Sequence, residues 1–188
     1  DRLFCNTSLI YSDFDYGFGV DNAGTAIELS SGIFDYNLKQ DYNWFVNPEN
    51  TLQFGWNTVV HRFKPGRFSS DDGDDSTNDM ALDLSRQQAL ETGFYLDNEQ
   101  KINSRLSLYY GARLSTFSNI GPYDLKTYNE ADEVLSTQTY GQGDFFHTWW
   151  GFEPRASASF MLDRNSSVKA SYNRLYQYLH LLSNSTSG

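Results

Sequence analysis

A chain of 188 residues with a formal net charge of −10 lacks the concentration of Lys and Arg that phosphate contacts need, which excludes nucleic acid as a partner. It contains no apolar run of the roughly 18 residues that a membrane-spanning helix requires. The single Cys5 excludes an internal disulfide, and an aromatic share of 16%, from 13 Tyr, 14 Phe and 4 Trp, favours strands.

Residues 2 to 14 read as a first strand with weak alternation, followed by a long polar connection over 15 to 30. A second strand follows, with Phe34, Tyr36, Leu38, Tyr42, Trp44 and Val46 on one face and Asp35, Asn37, Lys39, Asp41 and Asn43 on the other. Asn47-Pro48-Glu49-Asn50 is a tight turn. Residues 51 to 62 set Leu52, Phe54, Trp56, Thr58 and Val60 against Gln53, Gly55, Asn57 and His61, and a second long polar connection covers 65 to 87.

The fourth strand, 89 to 97, sets Leu90, Thr92, Phe94 and Leu96 against Glu91, Gly93, Tyr95 and Asp97. After a short turn from Asn98 to Asn103, period two holds without a fault from 105 to 117, where Leu106, Leu108, Tyr110, Ala112 and Leu114 alternate with Ser107, Tyr109, Gly111 and Arg113. About twelve residues at about 3.3 Å each reach roughly 40 Å, enough to cross a bilayer core when tilted. A third long connection, 118 to 146, leads to a strand at 150 to 162 with Trp150, Phe152, Ala156 and Phe160 opposite Glu153, Arg155 and Ser157. The tight turn Asp163-Arg164-Asn165-Ser166 opens a seventh strand at about 167 to 180, with Val168, Ala170 and Tyr172 opposite Lys169, Ser171 and Asn173.

About seven long strands with a greasy face and a charged face, joined alternately by short and long connections, point to an all-β, antiparallel, up-and-down transmembrane barrel. Short turns belong to the periplasmic side and long loops to the outside. Single-chain barrels of this kind have an even strand number, so seven strands are expected to be part of a larger wall. The whole chain, 1–188, is then one partial barrel domain. A soluble, secreted, carbohydrate-binding β-sandwich also alternates inside and outside residues and stays open as a second reading, as does a passive porin.

The stretch Phe152-Glu153-Pro154-Arg155-Ala156-Ser157, then Val168-Lys169-Ala170-Ser171-Tyr172-Asn173-Arg174 and Gln177-Tyr178-Leu179-His180-Leu181-Leu182-Ser183-Asn184, resembles the barrel of TonB-dependent outer-membrane receptors of the Bacteroidetes type. Gly32-Ile33-Phe34-Asp35-Tyr36-Asn37-Leu38-Lys39 with Thr51-Leu52-Gln53-Phe54-Gly55 is similar to an earlier hairpin of the same barrels. The resemblance implies a wall of roughly 22 strands closed by a plug. It also implies a place in the outer membrane of a Gram-negative bacterium and import of a scarce nutrient: a siderophore, cobalamin, a glycan or a peptide. The import would be driven by the TonB-ExbB-ExbD complex acting on the plug, and a surface lipoprotein is a further partner of such receptors. Nothing in these residues resembles a plug or a TonB-binding box.

Tyr140, Phe145, His147, Trp149 and Trp150 cluster near the start of the sixth strand, as a surface for stacking a ring in the outer loops or as an aromatic girdle at the headgroups. Asp35, Lys39, Asp41, Glu91, Arg113, Glu153, Arg155 and Lys169 are expected to face the lumen or the plug. The run Asp71-Asp72-Gly73-Asp74-Asp75 lacks the Gly and Glu positions of an EF-hand and reads as a solvated loop. His61, His147 and His180 show no metal-ligand spacing, and no nucleophile-base motif or phosphate loop is present. No cofactor, no metal and no enzymatic activity are expected.

Overall fold

The computed structural model describes residues 2–22, 25–71, 87–129 and 133–179; Asp72 to Asp75 and His180 lie outside them. Every regular element among the described residues is a strand: β1 (Leu3–Asn22), β2 (Thr25–Asn47), β3 (Asn50–Asp71), β4 (Gln88–Lys101), β5 (Leu106–Ile120), β6 (Tyr123–Tyr128), β7 (Val134–Tyr140), β8 (Phe145–Met161) and β9 (Ser167–Asn173). Seven of them form one antiparallel sheet in the order β1-β2-β3-β4-β5-β8-β9, and β6-β7 is a separate hairpin inserted between β5 and β8. The sheet is an open meander with β1 and β9 at its edges, not a closed barrel.

The expected long connection at 15 to 30 is absent. β1 and β2 stay in register from Leu3↔Trp44 to Asn22↔Thr25. Gly17, Gly19, Asp21 and Asn22 have loop-like composition, but Tyr16, Phe18 and Val20 alternate with them, and the ladder to β2 pairs the backbone groups on the β2 side that a loop would leave to water. The strict alternation of short and long joints therefore fails at this joint. The second long connection also starts later than expected, because β3 runs on to Asp71. Its outer part pairs only with β2, since pairing to β4 ends at Arg62↔Gln88. The third connection holds the β6-β7 hairpin, and β8 begins at Phe145, five residues before the expected 150.

β9 ends at Asn173 rather than near 180. Its next residue, Arg174, donates its backbone N–H to the Pro154 carbonyl at 3.1 Å, but Pro154 has no N–H to return. The ladder stops there, and Tyr176 and Tyr178 turn back across the sheet. The three short connections, at 48–49, 102–105 and 162–166, share one end of the sheet; the β6-β7 hairpin and the extended β1-β3 strands share the opposite, far end.

Register fixes the faces. Trp44, Leu52, Asn98, Tyr110, Ala156 and Tyr172 form one continuous row near the short turns, and Trp56, Phe94, Leu114 and Phe152 form a row across the middle. Phe94 and Phe152 are each 58% exposed. On the opposite face Asp97 (2%), Ser115 (0%), Glu153 (3%) and His61 (6%) are buried. The faces are thus inverted relative to a water-soluble sheet, with large apolar side chains outward and polar groups covered.

Candidate functional site

The polar face is held together by bridges that cross an intervening strand. Arg155 on β8 reaches over Gly111 on β5 to bond Asp97 on β4 at 2.6 Å. Arg113 on β5 reaches over Gly93 on β4 to Asn57 on β3 at 3.1 Å, and also meets Glu91 at 3.3 Å. Tyr95 on β4 lies over Gly55 on β3 and donates to Asp41 on β2, which pairs with Lys39 at 2.9 Å. Tyr178 lies over Gly151 on β8, its hydroxyl 2.8 Å from that of Ser115, which donates to Glu153 at 2.6 Å.

In each bridge the strand in between carries a glycine where a side chain would block the path. A Cβ on Gly93 would lie 2.8 Å from Asn57 Oδ1, and one on Gly151 would lie 2.5 Å from the Tyr178 hydroxyl. Asp35 joins His61 at 2.8 Å, and Glu91 approaches the other ring nitrogen at 3.9 Å. Seven of the eight residues expected on the lumen or plug side are therefore joined by these contacts. Lys169 shares the face, opposite Ser159, but is exposed on the β9 edge and makes no ion pair among the described residues.

At the far end of the same face the bridges give way to aromatics. His61 lies against Phe63 and Phe117 at 6.3 and 6.1 Å, Phe117 against Trp149 and Tyr178 at 6.0 and 5.5 Å, and Trp149 against His147 at 6.0 Å. All of these except His61 line a cavity of about 480 Å³ that also takes in Gln87, Gln88, Asn119 and Gln177. Tyr123 and Tyr140, from opposite arms of the β6-β7 hairpin, both stack on Phe146, at 5.0 and 4.9 Å, and so fix the hairpin base at the cavity rim.

His147 is the extra residue of a β-bulge, where the ladder passes from Ser118↔Thr148 to Asn119↔Phe146, and its φ is 48°. A non-glycine residue in this left-handed region carries strain, and bulges of this kind re-aim a side chain. The expected aromatic cluster is thus split. His147 and Trp149 line the cavity, Tyr140 supports it through Phe146, and Phe145 and Trp150 stand on the apolar face, 58% and 65% exposed. Sequence reasoning missed Phe63, Phe117 and Tyr178, which come from three separated parts of the chain. Phe63 and Phe117 carried a signal, a place on the polar side of the alternation where an aromatic residue is out of pattern; Tyr178 carried none, because it falls on the apolar side of the expected alternation and lies beyond the end of β9.

The apolar face ends in charge toward the far end. Lys64 bonds Asp13 and Asp15 at 2.9 and 2.5 Å above the Phe34 ring, and Arg62 lies over the Tyr36 ring. No group of three His, Cys, Asp or Glu among the described residues could hold a metal ion. No family model, curated protein or solved structure matches the chain.

Proposed function

We propose that this chain forms part of the wall of a TonB-dependent outer-membrane receptor, which binds a scarce nutrient and imports it with energy relayed by TonB. The observation that carries the membrane reading is the inversion of the two faces. A face with Leu96, Phe94, Leu114 and Phe152 outward needs an apolar solvent, and lipid supplies one. From Asn50 to Arg62 the β3 strand climbs about 40 Å; at a tilt of about 40° the polar limits stand about 30 Å apart, room for an apolar band about 25 Å tall. Trp44, Tyr110 and Tyr172 flank that band near the short turns, with Tyr11, Tyr36 and Trp150 toward the other end, as interfacial girdles do.

Unpaired strand edges are not tolerated in hydrocarbon, so β1 and β9 each pair with further strands to close the wall. The polar face then lines the lumen. Asn37 Oδ1, His61 Nε2 and Arg113 Nε are covered yet have no hydrogen-bond partner among the described residues, which suits a face against which a polar plug packs. Cargo would bind among the outer loops and plug, and TonB would shift the plug while the bridged wall stays rigid.

The test is fractionation of the intact protein followed by uptake in energised cells. It should enter the outer-membrane fraction, need detergent for extraction, and migrate differently on gels before and after boiling. A stable monomer in plain buffer with full β signal would refute the barrel. Uptake that persists after the proton gradient is collapsed would leave a passive porin in place of a TonB-driven receptor.

A further inference from the structure

We propose that the far-end cavity of the polar face is a subsite for a neutral saccharide ring, stacked on Trp149 and held by side-chain amides. Its place at the outer mouth of a lumen rests on the barrel reading; its chemistry does not. Trp149 is 47% exposed, while Phe117 beside it is only 4% exposed and backs it as a fixed wall. Tyr178 is stacked on Phe117 at an interplanar angle of 17° and tethered through its hydroxyl to Ser115, so the aromatic floor is held in place before any ligand arrives. A pyranose ring presents C–H groups on its face and hydroxyls at its rim, which suits an aromatic platform ringed by amides.

The amides are available. Gln87 and Asn119 make no side-chain hydrogen bond among the described residues, and Gln177 uses only its N–H₂ group, toward the Leu179 carbonyl at 2.9 Å. An amide offers both donors and an acceptor, as a sugar hydroxyl does. No Lys, Arg, Asp or Glu lines the cavity among the described residues, so nothing there selects an anion, a cation or a charged chelate. An aromatic peptide side chain would fill the apolar part but leave the amides buried without partners, at a cost. The strained backbone of His147 sets its ring beside Trp149 at the rim, a placement that closes the platform on one side. The volume of about 480 Å³ falls in the usual range for small-ligand sites.

The experiment is calorimetric titration of the intact, detergent-purified protein with maltohexaose, cellohexaose and mannohexaose, and with the tripeptide Phe-Gly-Phe for contrast. At least one neutral hexasaccharide should bind saturably. Trp149→Ala should weaken it about tenfold or more, while Trp150→Ala, altering the neighbouring residue on the opposite face, should leave it unchanged. Heat-dependent gel mobility of both variants checks that they fold. No binding of any of the three sugars, equal loss in both variants, or binding of the tripeptide alone would overturn the subsite. A folded barrel that binds none of these sugars refutes the subsite and leaves the barrel standing. A water-soluble protein that binds sugar through Trp149 does the reverse.

Discussion

Asp97 and Arg155 are an unequal pair, and the inequality predicts which partner matters more. Asp97 is 2% exposed, whereas the Arg155 side chain keeps 30% of its surface in contact with solvent. Removing the arginine strands a buried carboxylate; removing the aspartate leaves a cation that still reaches water. Arg155→Ala should therefore cost about 3 kcal/mol and Asp97→Ala about half of that, read from urea unfolding in lipid vesicles. The reverse order would mean that the pair is not organised around the carboxylate. Asp163 behaves differently because it lies in the turn between β8 and β9. The Asn165 backbone N–H, donated to it at 2.7 Å, holds its carboxyl below the usual carboxylate range, against a smaller desolvation effect. A depressed value stabilises the turn above pH about 4 and loses that contribution as pH falls through it. Amide exchange at Asn165 and Ser166 should quicken on acidification, and in Asp163→Ala it should be fast already at neutral pH. Alternation alone placed Arg113, Glu153 and Arg155 on the charged face. Their partners were not legible, because a bridge such as Arg155–Asp97 spans 58 residues and depends on the register of three strands.

Among the elements, the glycines of the polar face work as crossing points for bridges. Substituting them should not cost the same everywhere. A Cβ on Gly93 meets the guanidinium of Arg113 and the amide of Asn57, flexible side-chain ends that can move aside at the loss of a hydrogen bond. A Cβ on Gly111 meets the backbone carbonyl of Leu96 and the Cα of Asp97, which cannot move without parting β4 from β5. Gly93→Ala should cost about 1 kcal/mol and Gly111→Ala about 3 kcal/mol, measured in the same vesicles. Equal costs would show that the crossings do not set these positions. Strand centres were legible from period two, and so were the tight turns, whose Asn and Asp side chains hydrogen-bond the following backbone, as Asn103 does to the N–H groups of Arg105 and Leu106. Strand ends were not. Gly17, Gly19 and Asp21 look like loop residues until the facing strand is known, and the end of β9 depends on the missing N–H of Pro154, which lies on another strand.

For the whole molecule, solvent decides which face is outside. Phe94 sits in the middle row of the apolar face and is 58% exposed. In a bilayer Phe94→Arg should destabilise by about 2–4 kcal/mol, whereas the same change on a sheet in water should fall within about 0.5 kcal/mol of neutral. Unfolding of the two proteins in phospholipid vesicles separates the cases, and a neutral result would remove lipid as the environment of this face. By itself the sequence determined that the chain is antiparallel β, where most strands centre, which residues share a face, and that one face is charged. Each of these follows from local periodicity, which needs no knowledge of neighbouring strands. Only the tertiary structure decided that β1 and β2 are continuous past residue 15, that β8 starts early enough to carry Trp149, and that Phe63, Phe117 and Tyr178 meet in one cavity. Those outcomes depend on register and on the bulge at His147, and a shift of a single residue moves every side chain to the other face of a sheet.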